Sequence, residues 1–283
     1  MNIAKKMSND QESDFDFSAF LDLLIQHLWA ALGVFLFVTG VGVSYVLLAA
    51  PIYRADALIQ VEDKKGGPIP GMQAIADALG AGASSVAGEI EIIKSREVIM
   101  SAIKETKADI VVENKDRFPI LGDWFARRHS IETGLAKPFL GLSMYSWGGD
   151  RLRVEQFSVP AAAHGKEFFL IVQDETNFQV FDEDGKHLGD GQVGQLTSLA
   201  IPAGEVNLYI ADMVASPGTR YGVMHVDPIT AYRKVLANLT VAESAKQSSI
   251  IKISYENPDA SFAQKIVNAI ASAYLKQNVE RRS

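Results

Sequence analysis

Residues 28–50 read LWAALGVFLFVTGVGVSYVLLAA, 23 residues without one charged side chain. As a helix this run extends about 35 Å, enough to cross a hydrocarbon core of about 30 Å. The helices of soluble cores seldom stay uncharged for so many turns. Trp29 stands near one end of the run and Tyr45 and Tyr53 near the other, which suits interfacial aromatic anchoring. A cleaved signal peptide needs a basic flank. Residues 1–27 instead set Lys5 and Lys6 against Asp10, Glu12, Asp14, Asp16 and Asp22, and Pro51 follows Ala49-Ala50 where a cleavage site would lie. The sequence therefore predicts an uncleaved transmembrane anchor. The flanking charge does not orient it, because the short flank is acidic and long domains translocate largely regardless of charge.

The segment FDFSAFLDLLIQHL places Phe17, Phe20, Leu21, Leu24 and Leu28 on one helical stripe. It reads either as an interfacial helix leading into the span or as a continuation of the span itself. Gly40 and Ser44 form one small-xxx-small pair.

Beyond the span, YRADALIQVED has strand composition, and residues 64–88 are a Gly/Ala/Ser-rich loop with a short helix over 72–79. EIEIIKSREVIMSAIKET repeats Ile92, Ile99 and Ile103 on one face and reads as a helix. A further helix covers 122–128. From Arg151 the pattern turns to strands: LRVEQFSV, EFFLIVQD, NFQVFD, KHLGDG and EVNLYIADMVAS. Asp184-Gly185 reads as a two-residue hairpin turn with positive φ at both positions. Asp227-Pro228 opens a helix bearing Ile229, Tyr232, Leu236 and Leu239. The strand IIKISY then precedes a last helix that Asn257 caps and Pro258 and Asp259 begin.

These elements predict an α+β fold: one N-terminal transmembrane helix, then a domain whose mixed or antiparallel sheet is packed by helices. Strand 53–62 is placed to pair with strand 249–255. The domain plan is a segment 1–27 with the interfacial helix, a span 28–50, and a domain 51–283 holding a sheet insert at about 151–215. The last helix, 258–283, has a start signal and no stop signal, with Arg281 and Arg282 before the end, so the chain is expected to be cut from a longer protein.

The residues exclude several chemistries. Cysteine is absent, which removes disulfides, thiolate catalysis and Cys-based zinc sites. The net charge of −7 and the lack of clustered Lys and Arg speak against a nucleic-acid partner. His27, His129, His164, His187 and His225 never fall three or four residues apart, so no helix-borne metal pair exists, and each reads as a lone exposed loop residue. No P-loop and no nucleophile elbow is present. Gly189, Gly191 and Gly194 spell G-x-G-x-x-G but lead into QLTSLAIP, not a helix. Asp182, Glu183 and Asp184 read as a solvated turn. No catalytic, cofactor or metal residue is assigned; from the residues alone the chain is a non-catalytic membrane-tethered module.

Several blocks, in order, resemble the Wzz-type chain-length determinants, the polysaccharide co-polymerases of bacterial inner membranes. They are the strand Tyr53-x-Ala55 through Val61; the helix Glu89-x-Glu91-Ile-Ile-Lys-Ser95; and the closing run with Tyr255, Pro258, Asn268 and Tyr274. FQVFDEDGKHLGDGQVG resembles the extra sheet of the larger Wzc, ExoP and GumC members, the tyrosine-kinase-associated exopolysaccharide transport proteins. The resemblance implies that these ten residues serve structure and assembly. It implies a cytoplasmic N-terminus, a periplasmic main domain, and a non-enzymatic ring-like homo-oligomer regulating exopolysaccharide chain length and export. The partners implied are the lipid bilayer, the polysaccharide polymerase, an outer-membrane export protein and a cytoplasmic tyrosine kinase domain, fused downstream or separate. A membrane-anchored periplasmic sensor binding a ligand or glycan is the competing reading; the sequence shows no converging polar group for it.

Overall fold

The computed structural model describes residues 27–61, 83–119, 121–129, 134–245 and 248–282. The expected interfacial helix before residue 27 and the short helix over 72–79 lie outside these residues. The fold divides after Ala49. The N-terminal unit contains helix α1, Leu28–Leu48, with no buried side chain and the length and apolar composition to cross a membrane. The helix stops two residues short of the apolar run, where Pro51 disfavours helical geometry at Ala50.

The second unit, Ala50–Ser283, contains two hydrophobic cores. The first lies between helices and a three-stranded antiparallel sheet of order β1-β11-β10. Strand β1 is Tyr53–Gln60, β10 is Leu239–Glu243 and β11 is Ile250–Asn257. The expected pairing of the first and last strands is present, with Tyr53 opposite Asn257 and Gln60 opposite Ile250. Alternation decides the inner face: Ile59 and Val61 of the β1 segment join Ile251, Ile253 and Tyr255 of β11 in the core, while Leu58 stays 64% exposed.

Four helices cover that face: α2 (Ala83–Ile93), α3 (Arg96–Thr106), α5 (Pro228–Ala237) and α6 (Ala260–Arg282). The sequence read α2 and α3 as one helix. The structure breaks it at Lys94-Ser95, where the Ser95 hydroxyl accepts from the Val98 amide and caps α3. Asp227 caps α5 as expected, accepting from the amides of Ile229 and Thr230. The cap of α6 is Asp259, which accepts from Ser261 and Phe262; Asn257 holds the preceding bend by accepting from the Asp259 amide, and Pro258 lies outside the helix.

The second core belongs to a β-sandwich interposed between α3 and α5. A five-stranded sheet of order β2-β9-β4-β5-β6 and a three-stranded sheet of order β3-β8-β7 are both antiparallel. The strands are β2 (Ile110–Asn114), β3 (Arg151–Ser158), β4 (Glu167–Val172), β5 (Asn177–Phe181), β6 (His187–Gln192), β7 (Leu196–Ile201), β8 (Gly204–Val214) and β9 (Arg220–His225). Inward residues alternate cleanly: Phe168, Leu170 and Val172 on β4 and Val206, Leu208 and Ile210 on β8 are all buried. The sheets thus extend past the 151–215 stretch on both sides, because β2 and β9 flank the strands recognisable by pattern. These outer strands pair with each other, and the Val226 amide donates to the Asp109 carbonyl at 2.8 Å, so the sandwich leaves and rejoins the first layer at one place.

The turn at 182–186 differs from the two-residue form expected. Gly185 has φ +76°, but Asp184 does not enter the positive-φ region. Asp182 organises a five-residue connection instead, accepting through its side chain from the amides of Asp184 and Lys186.

Candidate functional site

The ten residues singled out in the sequence all fall in the first layer, where Tyr53, Ala55 and Val61 form the edge strand and that strand's continuation. Ala55 stands opposite Tyr255 across the β1–β11 ladder, and the Val61 amide donates to Ser249. Glu89 on α2 and Tyr274 on α6 meet directly. The Tyr274 hydroxyl, on a side chain only 1% exposed, donates to Glu89 Oε2 at 2.8 Å. Arg281 reaches the same oxygen at 3.2 Å, and Gln277 donates to Glu97 of α3 at 2.7 Å. The last helix is therefore fastened to both α2 and α3 by polar contacts at the edge of a shared apolar core. Glu91 and Asn268 are exposed and join no such contact in this group.

The outer face of the same sheet carries a polar cluster beside the exposed Leu58. Arg54 donates to Ser254 at 2.9 Å and to Asp56 at 3.2 Å, and Lys252 stands 3.0 Å from Asp56. Hydrogen bonding from Ser254 and then from Lys252 holds the Asp56 carboxyl down at about 2.

A second constellation, which the sequence did not disclose, lies in the sandwich. Strand β2 and the turn after it carry Glu113, Asn114, Lys115, Arg117 and Phe118; β3 begins after Asp150; Tyr221 comes from β9. Together with Asp123 of the helix α4 (Leu121–Arg128) they line a cleft of about 540 Å³. Its centre is the Asp150 carboxylate, 3% exposed, whose Oδ2 accepts from Asn114 Nδ2 at 2.8 Å and Arg117 Nη2 at 2.9 Å. Arg117 also reaches Asp123 at 3.1 Å, and Lys115 bridges Glu113 and Glu167 at 2.7 and 2.8 Å. Burial raises the Asp150 carboxyl, but the Asn114 hydrogen bond and the Arg117 charge outweigh it and hold the group below its ordinary value. Burial, and then the adjacent Asp150 carboxylate, push the Tyr221 hydroxyl up. Asp150 Oδ1, Arg117 Nε and Tyr221 Oη are all shielded from solvent here, with the Tyr221 hydroxyl against the Asp150 carboxylate.

An aromatic cluster stiffens the wall of this cleft. Phe118 stacks on Trp147 with centroids 5.2 Å apart and meets Tyr145 edge-on, while Phe125 and Phe139 close around the same indole. Trp147 is 4% exposed and donates its N–H to the Leu142 carbonyl at 2.9 Å. Gly148-Gly149 follow with φ +123° and +77°, and a Cβ on Gly149 would overlap the Gly134 carbonyl. Only glycine permits the turn that delivers Asp150 behind Trp147.

The histidines are not all lone loop residues. His225 lies on β9, its Nε2 3.4 Å from Asp109, and its ring stacks on that of His164 with centroids 4.9 Å apart. Sequence separation concealed this meeting. Among the described residues, no three His, Cys, Asp or Glu side chains are placed to hold a metal ion. Gly189 and Gly191 lie in β6, and Gly194 in the turn after it. Glu183 of the acidic turn pairs with Lys166 at 2.6 Å.

Comparison with known proteins separates the segment that ends with α3 from the β-sandwich. Residues 13–106 match the family described as chain length determinant protein, Wzz. Residues 110–226 match the N-terminal domain of tyrosine-protein kinase Wzc. The second match coincides with the β-sandwich; the first ends with α3. The C-terminal block with Tyr255, Pro258, Asn268 and Tyr274 lies beyond both matches, yet packs on the first. EpsB of Ralstonia solanacearum is 29% identical over 276 residues, 97% of this chain and 36% of EpsB. The tyrosine-protein kinase etk of Escherichia coli K12 is 28% identical over 282 residues, 100% of this chain and 36% of etk. The tyrosine-protein kinase wzc of Salmonella typhimurium is 26% identical over 273 residues, 95% of this chain and 34% of wzc. The chain spans about a third of the length of these relatives.

Proposed function

Starting from a chain that carries the Wzz chain-length-determinant domain and the N-terminal domain of Wzc-type tyrosine kinases, we propose that it is a non-catalytic polysaccharide co-polymerase scaffold. It sits in a bacterial inner membrane with its N-terminus in the cytoplasm and its main domain in the periplasm. There it forms a ring-like homo-oligomer that regulates the length and export of an exopolysaccharide. A polymerase, an outer-membrane export protein and a cytoplasmic tyrosine kinase domain are its proposed partners. The observation that carries this reading is the joining of the Wzz-matched strand and helices to β11 and α6 in a single layer, beside a matched Wzc sandwich.

The test is the particle the chain forms. Light scattering and cryo-electron microscopy in detergent are expected to find a closed oligomer, and a strictly monomeric particle at micromolar concentration would refute the scaffold. The polar cleft favours a second reading, a periplasmic sensor of a ligand or glycan. Deleting residues 110–226 separates the two. Loss of polymer-length control with the ring intact favours the sensor; loss of the ring favours the scaffold.

A further inference from the structure

We propose that the segment 134–144 before β3, with the end of α4, docks on an anionic lipid bilayer: Leu140 and Met144 enter the boundary between headgroups and acyl chains, and Arg128 and Lys137 face the phosphates. The presence of a bilayer rests on the membrane anchoring proposed above; the docking surface is argued from the loop itself.

Elsewhere the sandwich covers its apolar residues well. Among the described residues of 110–226, eight large apolar side chains are exposed by more than a third, and all but Val112 and Leu196 belong to Leu121 or to 135–144. Single exposed residues of this kind are ordinary, whereas a contiguous group rimmed by polar residues marks an interaction site. Leu140 is 82% exposed and Met144 72%. Leu140 also has φ +52°, which glycine or asparagine adopts more easily, and so little of it is covered that packing within the fold does not account for a leucine there. The tip is nonetheless fixed. Trp147 donates to the Leu142 carbonyl, the Ala136 amide donates to the Gly148 carbonyl at 2.9 Å, and the Phe139 ring sits 5.0 Å from that of Phe125 on α4.

Charge selects the occupant. No Asp or Glu occurs from Gly134 to Gly149, although the chain carries a net −7. Other cations of the sandwich are spent on carboxylates, as Lys115, Arg117, Arg151, Arg153, Lys166 and Arg220 each reach one. Arg128, whose guanidinium lies 4.4 Å from the Trp124 ring centre, and the exposed Lys137 reach none among the described residues. An apolar tip flanked by such cations and by the half-buried rings of Trp124 and Tyr145 has the composition that anionic lipid interfaces bind. A second copy of the chain fits less well. The clefts around Asp150, Glu183 and Arg220 are lined by charged side chains, which would lose water on receiving a leucine.

Because the chain contains no cysteine, single introduced cysteines can carry a nitroxide spin label. The full chain is reconstituted into vesicles of phosphatidylcholine with phosphatidylglycerol, and collisions of the label with oxygen and with a polar nickel chelate are measured. Ser143→Cys reports on the tip without altering its apolar residues, Asp184→Cys on an exposed turn of the sandwich, and Phe35→Cys on α1. The ratio of oxygen to nickel collisions at 143 should exceed that at 184 severalfold, and Leu140→Gln with Met144→Gln should abolish the excess. Both residues are exposed, so this double variant should melt with the parent. Vesicles without phosphatidylglycerol, or Arg128→Gln with Lys137→Gln in the mixed vesicles, should remove most of the excess. A tip label as open to nickel as the turn label, while the α1 label is immersed, overturns the inference and leaves the anchor standing. A tip label shielded from both reagents and broadened by the spins of neighbouring copies overturns it in favour of a protein contact, and equal immersion in neutral vesicles overturns it too. An immersed tip beside an aqueous α1 label sustains the inference and defeats the anchoring.

Discussion

The hydrogen bond from Tyr274 to Glu89 joins two blocks of sequence 185 residues apart, and its energy can be separated from that of its neighbour Arg281. Tyr274→Phe keeps the ring, which is 1% exposed in the first core, and removes only the donor. A hydrogen bond to a charged acceptor contributes about 1.5–3 kcal/mol. Glu89 is 21% exposed and keeps Arg281 at 3.2 Å, which puts the cost near the lower end, about 1.5 kcal/mol. At about 2–4 °C per kcal/mol for a domain of this size, the melting temperature should fall by roughly 3–6 °C. Arg281 is 41% exposed, so Arg281→Ala should cost less than about 1 kcal/mol. Thermal unfolding by circular dichroism, with Glu89→Ala completing a double-mutant cycle, tests both. Tyr274 and Glu89 should couple by about 1 kcal/mol or more. A coupling below about 0.3 kcal/mol, or a larger loss from Arg281→Ala than from Tyr274→Phe, would refute the ranking of the two contacts.

Two further outcomes follow from the sandwich. Gly149→Ala meets both a positive φ and the Gly134 carbonyl and should cost about 3 kcal/mol or more, whereas Gly165→Ala, at φ +80° with open space around it, should cost about 1 kcal/mol; urea unfolding compares them. Because the Asp150 carboxyl is held below its ordinary value of 3.8, its contribution to stability is complete above about pH 4 and is lost as pH falls through the folded-state value. Unfolding midpoints from about pH 6 to pH 3 should therefore drop less steeply at the acid end in Asp150→Asn than in the parent, and parallel curves would contradict the assignment.

The parts of the fold that were legible in the sequence are those set by local pattern. The uncharged run predicted α1, strand-rich runs bounded by turn residues predicted β4 and β8, and Asp227-Pro228 predicted α5. Strand composition at both ends suggested the β1–β11 pair, which the register bears out. The misreadings came where one local signal overrode another. The periodicity of Ile92, Ile99 and Ile103 runs across Ser95 without interruption, yet the serine's capping bond divides the helix there. Asn257-Pro258 looked like a cap with its proline, but Asp259 is better placed, one residue before the first helical turn. The sandwich outgrew its expected limits because β2 and β9 are short, and each is recognisable mainly by the other. The cleft was invisible for the same reason. Asn114, Asp150 and Tyr221 lie on three segments of the chain, and nothing local distinguishes them from the polar residues of any strand end. The β2–β9 register is what brings Asn114 opposite Tyr221.

That register also has a mechanical consequence. Strands β2 and β9 leave and return side by side, and the Asp109–Val226 backbone bond ties their roots together. The sandwich is thus grafted on like a branch, through a two-stranded neck, and the loop-closure entropy of its hundred-odd residues is met at that neck and not within the helical layer. The stump left by excising it would already have its two ends held together, so a short turn could seal it with little penalty. A socket of this kind accepts exchange: sandwiches of different length or cleft chemistry could be seated on one unchanged base, and their presence would be felt by the base only through two strands.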